Sequence, residues 1–147
     1  MNVLNNKYIT IIVLSLATTS GVAIGLAISH ARSSDIKITL VSVYDGDTFK
    51  VNIDGYPDIV GNHILIRIRG IDTPELKDKE HKSLALRARD FSKKKLESAK
   101  EIKLLNMERD KYFRIVADVY VDGENLANML LIENLANKYD GNSKTEW

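Results

Sequence analysis

Short segments in which apolar and polar residues alternate recur along much of this chain and limit it to a β-rich fold. The first runs from Ile36 to Leu40, the second from Phe49 to Ile53, and the third from His63 to Arg69. Because successive side chains of a strand point to opposite faces, each segment is predicted to be a strand with one face in a core. The break at Tyr44-Asp45-Gly46 predicts a tight turn between the first two strands.

A helical pattern follows the third strand. Ser83 to Ala99 has apolar residues at roughly helical spacing among charged ones, which predicts an amphipathic helix. Strand patterns return in Ile102–Met107 and Tyr112–Val121, and the apolar residues of Leu126–Leu135 predict a closing helix. Five short strands with a helix between the third and fourth are typical of a β-barrel with helices. The predicted fold is therefore a five-stranded, partly open OB-fold barrel with two to three helices.

An uncharged apolar run, residues 8–28, precedes the barrel pattern. Ser29 and Ala31 fit the small-x-small pattern of an export cleavage site. The run nearly reaches the roughly 20 residues that span a bilayer, so a cleaved signal peptide and a retained hydrophobic helix acting as a membrane anchor both stay open. We assign residues 1–31 to this leader and 32–147 to a single domain. The domain is expected to be exported, either secreted or periplasmic or anchored to the membrane and facing outward.

Composition excludes some classes of protein. The chain has no cysteine, which rules out a disulfide framework, a thiolate metal site and a cysteine nucleophile. Residues 32–147 carry twenty basic and twenty acidic residues, which excludes a globally basic nucleic-acid-binding protein. Residues 77–100 nevertheless contain nine basic residues against four acidic ones. This stretch is either a solvated helix face or the side that a polyanion approaches first.

Two acidic motifs offer oxygen ligands for a divalent cation. Asp47 has the same parity as the apolar residues of its strand, so its carboxylate is expected near the barrel mouth, where burial requires a cation. Pro74 constrains the loop from Asp72 to Glu75. Asp47, Asp72 and the carbonyl of Thr73 would make a hard-oxygen site suited to calcium, and Glu75 could take a proton from an attacking water. Each motif alone is more typical of an ordinary turn.

Arg67 and Arg114 stand within otherwise apolar strands, where a cation requires a partner. Each could clamp a phosphate with two parallel hydrogen bonds and stabilise the charge of a transition state. A structural ion pair with a barrel carboxylate is the alternative. Simple alternation places both arginines opposite the most apolar side of their strands and Asp47 on the apolar side of its own. A bend or bulge is needed to bring these groups together.

Taken together and in order, the motifs of this chain resemble those of the staphylococcal nuclease family. The resemblance covers Ile36 to Tyr139 and rests on Asp45-Gly46-Asp47-Thr48, Arg67-Ile68-Arg69-Gly70-Ile71-Asp72-Thr73-Pro74-Glu75, Asp110-Lys111-Tyr112-Phe113-Arg114, and Asp122-Gly123 before an apolar helix. It implies a calcium-dependent nuclease that hydrolyses phosphodiester bonds of DNA or RNA. Nucleic acid is then the expected partner of a protein expected to be a monomer, with membrane contact possible through residues 8–28.

The resemblance also implies a role for each matching residue. Asp47, Asp72 and the Thr73 carbonyl match the calcium ligands, Glu75 matches the general base, Arg67 and Arg114 match the phosphate-binding arginines, and Lys111 and Tyr112 match the pair that contacts a terminal phosphate. The chain departs from the family where Phe113 and Asn134 replace glycines. Asn134 and Asn137 are predicted as left-handed stops of the closing helix.

Two other functions stay open. One is a catalytically inactive nucleic-acid-binding OB module at the cell envelope, and the other is an envelope protein that uses the barrel for protein contacts. A binding module has no chemical reason to keep both arginines together with Asp47, Asp72 and Glu75. The joint presence of these five side chains therefore favours an enzyme.

Overall fold

The computed structural model describes residues 36–141 and Trp147. Its longer strands are β1 (Ile38–Val43), β2 (Thr48–Ile53), β3 (Ile64–Ile68), β5 (Ile102–Arg109) and β6 (Ile115–Val121). Three strands of two residues each are β4 (Ile71–Asp72), β7 (Glu124–Asn125) and β8 (Asn137–Lys138). The helices are α1 (Asp58–Gly61), α2 (Lys82–Ser98) and α3 (Leu126–Ile132).

The main sheet is mixed and has the order β1-β2-β3-β6-β5. β3 and β6 run parallel, whereas the other neighbouring pairs of this order are antiparallel. β7 pairs with β6, and β4 and β8 form a separate two-stranded sheet. Register shifts interrupt β1 after Leu40 and β5 after Leu105, and such bulges bend the strands that carry them. This mixed half-barrel with three helices confirms the predicted OB-type fold.

The core lies between the inner face of the sheet and helices α2 and α3. It contains every second residue of β2, β3 and β6, as the alternation predicts, because one face of each strand meets the helices. The buried side chains include Phe49, Val51 and Ile53 of β2, Ile66 and Ile68 of β3, Ala117, Val119 and Val121 of β6, Ala88 and Leu96 of α2, and Leu126 and Leu130 of α3.

Two local predictions are wrong. The strand predicted to start at Tyr112 begins at Ile115, because residues 110–114 form a turn in which Phe113 has a φ of 63°. The Phe113 side chain is consequently exposed instead of lying on the apolar face of the strand. Asn134 does stop the last helix with a left-handed φ of 55°. Asn137 does not, since it lies in β8 opposite Asp72.

The predicted leader, residues 1–31, lies outside the described residues, so cleavage and anchoring both stay predictions. Within residues 36–141 and Trp147, no helix combines the length and apolarity needed to cross a bilayer.

Candidate active site

Arg67 connects two acidic residues of the site. β3 places it between Ile66 and Ile68, whose side chains are buried in the core, and its own side chain, on the other face, is only 11% exposed. Its Nη2 donates to Asp72 Oδ1 at 3.0 Å. Its Nη1 is buried 2.5 Å from Asp47 Oδ2 without the alignment of a hydrogen bond. The guanidinium therefore neutralises two carboxylates that come from different segments of the chain.

The carboxylate of Asp47 is buried and accepts three hydrogen bonds. Oδ2 accepts from the backbone N–H of Thr73 at 2.8 Å and from its hydroxyl at 3.1 Å, and Oδ1 accepts from the hydroxyl of Thr48 at 3.0 Å. Asp47 lies just before β2, where its backbone carbonyl accepts from Ile68 N–H at 2.8 Å. Because it precedes the strand, strand parity does not fix its side chain. The conflict that simple alternation predicts between Asp47 and the arginines therefore does not arise, since Asp47 lies outside β2 and Arg114 outside β6.

The turn that carries Asp47 packs directly against helix α2. Ser92 of the helix donates its hydroxyl to the carbonyl of Gly46 at 2.5 Å. A Cβ on Gly46 would lie 2.7 Å from the Cβ of Ala88 and 2.8 Å from Cγ2 of Thr73, which is closer than real contacts allow. Only glycine fits between the helix and the Thr73 loop at this distance.

Asp45 is a third carboxyl of this cluster, and the sequence analysis gave it no role. Burial raises its pKa from 3.8 to about 7, helped by the negative charge of Asp47 and by a hydrogen bond between the two side chains. The backbone N–H of Asp47 also donates to Asp45 Oδ1 at 3.2 Å. A signal was present in the sequence, because Asp-Gly-Asp brings two carboxyls together whenever the tripeptide forms a tight turn.

The loop after β4 supplies the remaining candidates on the acidic side. β4 pairs Asp72 with Asn137 of β8, and Pro74 is fully buried, so the start of the loop is fixed on both sides. Glu75 lies further out, with its side chain 42% exposed and its Oε2 2.7 Å from Lys77 Nζ. The structure thus brings Asp47, Asp72 and Thr73 together around Arg67. Glu75 forms an ion pair with Lys77.

Arg114 is oriented by a turn that Asp110 organises. The Asp110 carboxylate accepts from the backbone N–H groups of Tyr112 at 2.8 Å and Arg114 at 2.9 Å, and from Arg114 Nε at 2.8 Å. Burial acts to raise the pKa of Asp110, but the hydrogen bonds from Arg114 and Tyr112 outweigh it and hold the pKa below its ordinary value. Asp110 received no role from sequence, although an Asp four residues before an Arg is a recognisable spacing.

A cavity of about 700 Å³ unites the two arginines. Arg67, Lys111, Tyr112 and Arg114 all line it, together with Asp110 and Tyr139 among others. Lys111 Nζ lies 5.1 Å and Arg114 Cζ 5.5 Å from the centre of the Tyr112 ring, and Arg67 Cζ lies 6.0 Å from that of Tyr139. Four cationic side chains line the cavity, since Arg69 does so as well, and they suit an anion such as a phosphate.

The acidic side has the oxygen chemistry of a calcium site. In the part of the chain that the structure describes, no group of three or more His, Cys, Asp and Glu side chains is arranged to hold a metal ion. Asp47 and Asp72 nevertheless converge on Arg67, and Thr73 binds Asp47 through its N–H and hydroxyl, so that its backbone carbonyl could supply a neutral oxygen nearby. Asp45 adds a third carboxyl to this side, whose pKa is raised first by burial and then by the negative charge of Asp47, a charge that a bound cation would reduce. The residues present therefore fit a hard divalent ion.

Comparisons with known proteins point to one family. A family model described as "Staphylococcal nuclease homologue" matches residues 65–146. Two curated relatives from Bacillus subtilis (strain 168), named "SPbeta prophage-derived endonuclease YokF" and "Endonuclease YncB", are each 38% identical over 117 residues. Each match covers 74% of this chain, but 37% of the first relative and 52% of the second. The chain thus spans about half the length of these relatives or less.

Proposed function

This chain belongs to the staphylococcal nuclease family, and on that premise we propose that it is a nuclease that hydrolyses phosphodiester bonds of DNA or RNA. One observation carries the proposal. Arg67 contacts the carboxylates of Asp47 and Asp72 and also lines the cavity that holds Lys111, Tyr112 and Arg114. A cation-binding acidic cluster therefore adjoins a cavity suited to phosphate, which is the combination that phosphodiester hydrolysis requires.

We propose calcium as the metal, held by the carboxylates of Asp47 and Asp72 and the carbonyl of Thr73. When bound, such an ion supplies positive charge that polarises a phosphoryl oxygen and makes water a better nucleophile. The buried hydrogen bonds from Thr73 and Thr48 fix the Asp47 carboxylate in place. Asp45, protonated up to a pH of about 7, limits the negative charge of the cluster when no cation is present.

The arginines are proposed to bind the scissile phosphate. Arg114, held at Nε by Asp110, presents a guanidinium of fixed orientation to the cavity. Arg67 approaches from the acidic side, and both would stabilise the charge that grows on the phosphoryl oxygens. Glu75 is the proposed base, taking a proton from the attacking water at a carboxylate oxygen. The ion pair of Glu75 with Lys77 is reached by solvent on both sides and is therefore weak enough to exchange with a water or a phosphate. Lys111 and Tyr112 are proposed to hold a further phosphate of the strand.

An inactive nucleic-acid-binding module is the second candidate, and one observation favours it. Arg67 is already paired with two carboxylates inside the protein, as a structural ion pair would be. Both candidates predict binding of nucleic acid, whereas cleavage is expected only of the enzyme.

The deciding experiment measures cleavage of plasmid DNA and of an RNA transcript by the purified full chain. We expect cleavage with calcium and its loss when a chelator is added. Binding of either nucleic acid without cleavage in calcium would select the inactive module. Cleavage that continues in the chelator would contradict the proposed metal dependence.

We also propose that the protein acts outside the cytoplasm, as a secreted, periplasmic or membrane-anchored monomer. The support is the apolar run of residues 8–28 with small residues at Ser29 and Ala31. Fractionation of expressing cells, with the mass of the product, tests this. A full-length product in the cytoplasm would contradict it.

A further inference from the structure

Phe113 combines two unfavourable features that nothing in the packing offsets. Its backbone has a φ of 63°, a conformation that a side chain with a Cβ rarely adopts, and its ring is 78% exposed. A bulky aromatic residue at such a position is a genuine exception among protein conformations. Strained residues of this kind concentrate at sites that bind ligands. The position therefore suggests that the exposed ring has a use outside the folded domain.

The backbone of Phe113 is held by hydrogen bonds within the turn. Phe113 N–H donates to the carbonyl of Asp110 at 3.1 Å, and Arg109 Nη1 donates to the carbonyl of Phe113 at 3.4 Å. The carboxylate of Asp110 fixes the backbone on both sides of Phe113, through Tyr112 N–H and Arg114 N–H. Because the backbone that carries the ring is already fixed, less conformational entropy is lost when a ligand binds to the ring.

The two aromatic rings of this turn differ in what surrounds them. Tyr112 lines the cavity and has the cations of Lys111 and Arg114 within 5.5 Å of its ring centre. Phe113 does not line the cavity, and in residues 36–141 no cation is seen over its ring. Its chain neighbours on both sides do line the cavity. An apolar face is therefore presented directly beside a group of cations.

We propose that Phe113 stacks on an unpaired base of the strand whose phosphate occupies this cavity, and that it thereby favours single-stranded or locally unpaired nucleic acid. Cations that follow a phosphate backbone, combined with an aromatic face for a base, are the pattern by which proteins bind single strands. A paired base inside a duplex has no face to offer to the ring. The cationic residues that line the cavity next to Phe113 in the chain, Lys111 and Arg114, favour a nucleotide over an apolar protein surface. The inference rests on the proposed function, because it needs nucleic acid in the cavity.

Two substitutions at Phe113 test the effect of the aromatic face apart from the effects of side-chain bulk and backbone strain. Phe113→Leu keeps an apolar side chain at the strained position but removes the aromatic face, whereas Phe113→Trp keeps an aromatic face. The probe is a single-stranded DNA oligonucleotide that carries 2-aminopurine, titrated in a chelator, with the matching duplex as its control. Thermal unfolding of both variants establishes that they fold.

We expect Phe113→Leu to weaken binding of the single strand about tenfold, the scale of one stacked base, and Phe113→Trp to bind close to wild type. Stacking should quench 2-aminopurine fluorescence in wild type and Phe113→Trp but not in Phe113→Leu. Binding of the duplex should change less, and the salt dependence should stay unchanged, because a neutral ring releases no counterions.

Equal single-strand affinities in all three proteins would overturn the inference, as would an equal loss for the single strand and the duplex. Capture of a protein partner that depends on Phe113, with unchanged oligonucleotide binding, would assign the ring to protein contact and overturn it as well. The proposed function fails separately: a wild type that binds the oligonucleotide through Phe113 but cleaves nothing in calcium would refute the nuclease and leave the stacking role standing.

Discussion

Arg67 is the residue on which both halves of the site depend. It is nearly buried, it contacts Asp47 and Asp72, and it shares a cavity with Arg114. We predict that Arg67→Ala lowers cleavage by at least about 100-fold, the usual scale for one electrostatic group in a transition state. It should also lower the free energy of unfolding by about 3 kcal/mol, because Asp47 is left buried without its cation.

Plasmid cleavage and urea unfolding measure the two effects of Arg67→Ala. Arg89→Ala is the matched control, since Arg89 also pairs with an aspartate, Asp90, but on helix α2 and outside the cavity. Turnover like that of wild type in Arg67→Ala would mean that Arg67 is only a structural cation.

Glu75 is predicted to act as the base. Glu75→Gln keeps the size of the side chain and removes its ability to accept a proton, so cleavage is expected to fall by about 100-fold or more. Lys77→Ala is the informative companion, because it removes the ion pair of Glu75 and leaves the carboxylate intact. Cleavage rates across a pH series measure both variants, and an unchanged rate in Glu75→Gln would remove Glu75 from the mechanism.

Asp45 should make the free energy of unfolding of the metal-free protein depend on pH, and its raised pKa fixes the direction of that dependence. Its folded pKa of about 7 lies above the ordinary 3.8, so between these values the folded protein holds a proton that the unfolded chain has lost. The contribution of this group to the free energy of unfolding is therefore largest at low pH and falls as the pH rises toward 7. Asp45→Asn should remove that decline. Urea unfolding in a chelator at several pH values tests this, and parallel profiles for the two proteins would contradict it.

At the scale of secondary-structure elements, helix α2 positions the acidic turn through Gly46. A methyl group there would meet Ala88 and Thr73 at distances below 3 Å. We predict that Gly46→Ala costs about 1–3 kcal/mol, as overpacking does, and weakens calcium binding by moving Asp47. Gly55→Ala is a contrasting control, since its added Cβ meets nothing within 4 Å and only its φ of 84° opposes the change. Thermal unfolding and calcium titration give the comparison, and a Gly46→Ala protein as stable as wild type would refute the tight packing.

The elements themselves could be predicted because their signals are local. Alternation in β2 and β3 follows directly from which face meets the core, and the structure has the same residues buried. The turn at residues 110–114 could not be read in this way. There the carboxylate of Asp110 binds two backbone N–H groups, and this overrides the strand pattern of the sequence.

At the scale of the whole molecule, the approach of Asp47 to Arg67 was beyond sequence pattern. The contact depends on Thr73, which lies 26 residues from Asp47 and binds it through both backbone and hydroxyl. The alternation of side chains along one strand does not reveal a partner such as Thr73, which lies on another part of the chain. The raised pKa of Asp45 was equally hidden, because it depends on burial under the assembled fold. Only the ordered set of motifs, compared with a known family, indicated the site in advance.

Calcium should stabilise the whole domain if the acidic cluster binds it. An ion that binds only the folded state at 100 times its Kd adds about 2.7 kcal/mol to the free energy of unfolding. We expect calcium to raise the thermal midpoint of wild type and to have little effect on Asp72→Asn. Scanning calorimetry with calcium and with chelator measures this, and an equal rise in both proteins would place the ion elsewhere.

The pairing of β4 with β8 has a consequence for how the protein is made. Asp72 is positioned by Asn137, near the end of the described chain, so its loop has no edge partner until that late segment has been synthesised. A nascent chain that already contains all of the acidic and cationic residues of the site would still lack the pairing of β4 with β8. We therefore expect the acidic cluster to reach its folded geometry only after residues 137–138 have emerged and paired with β4.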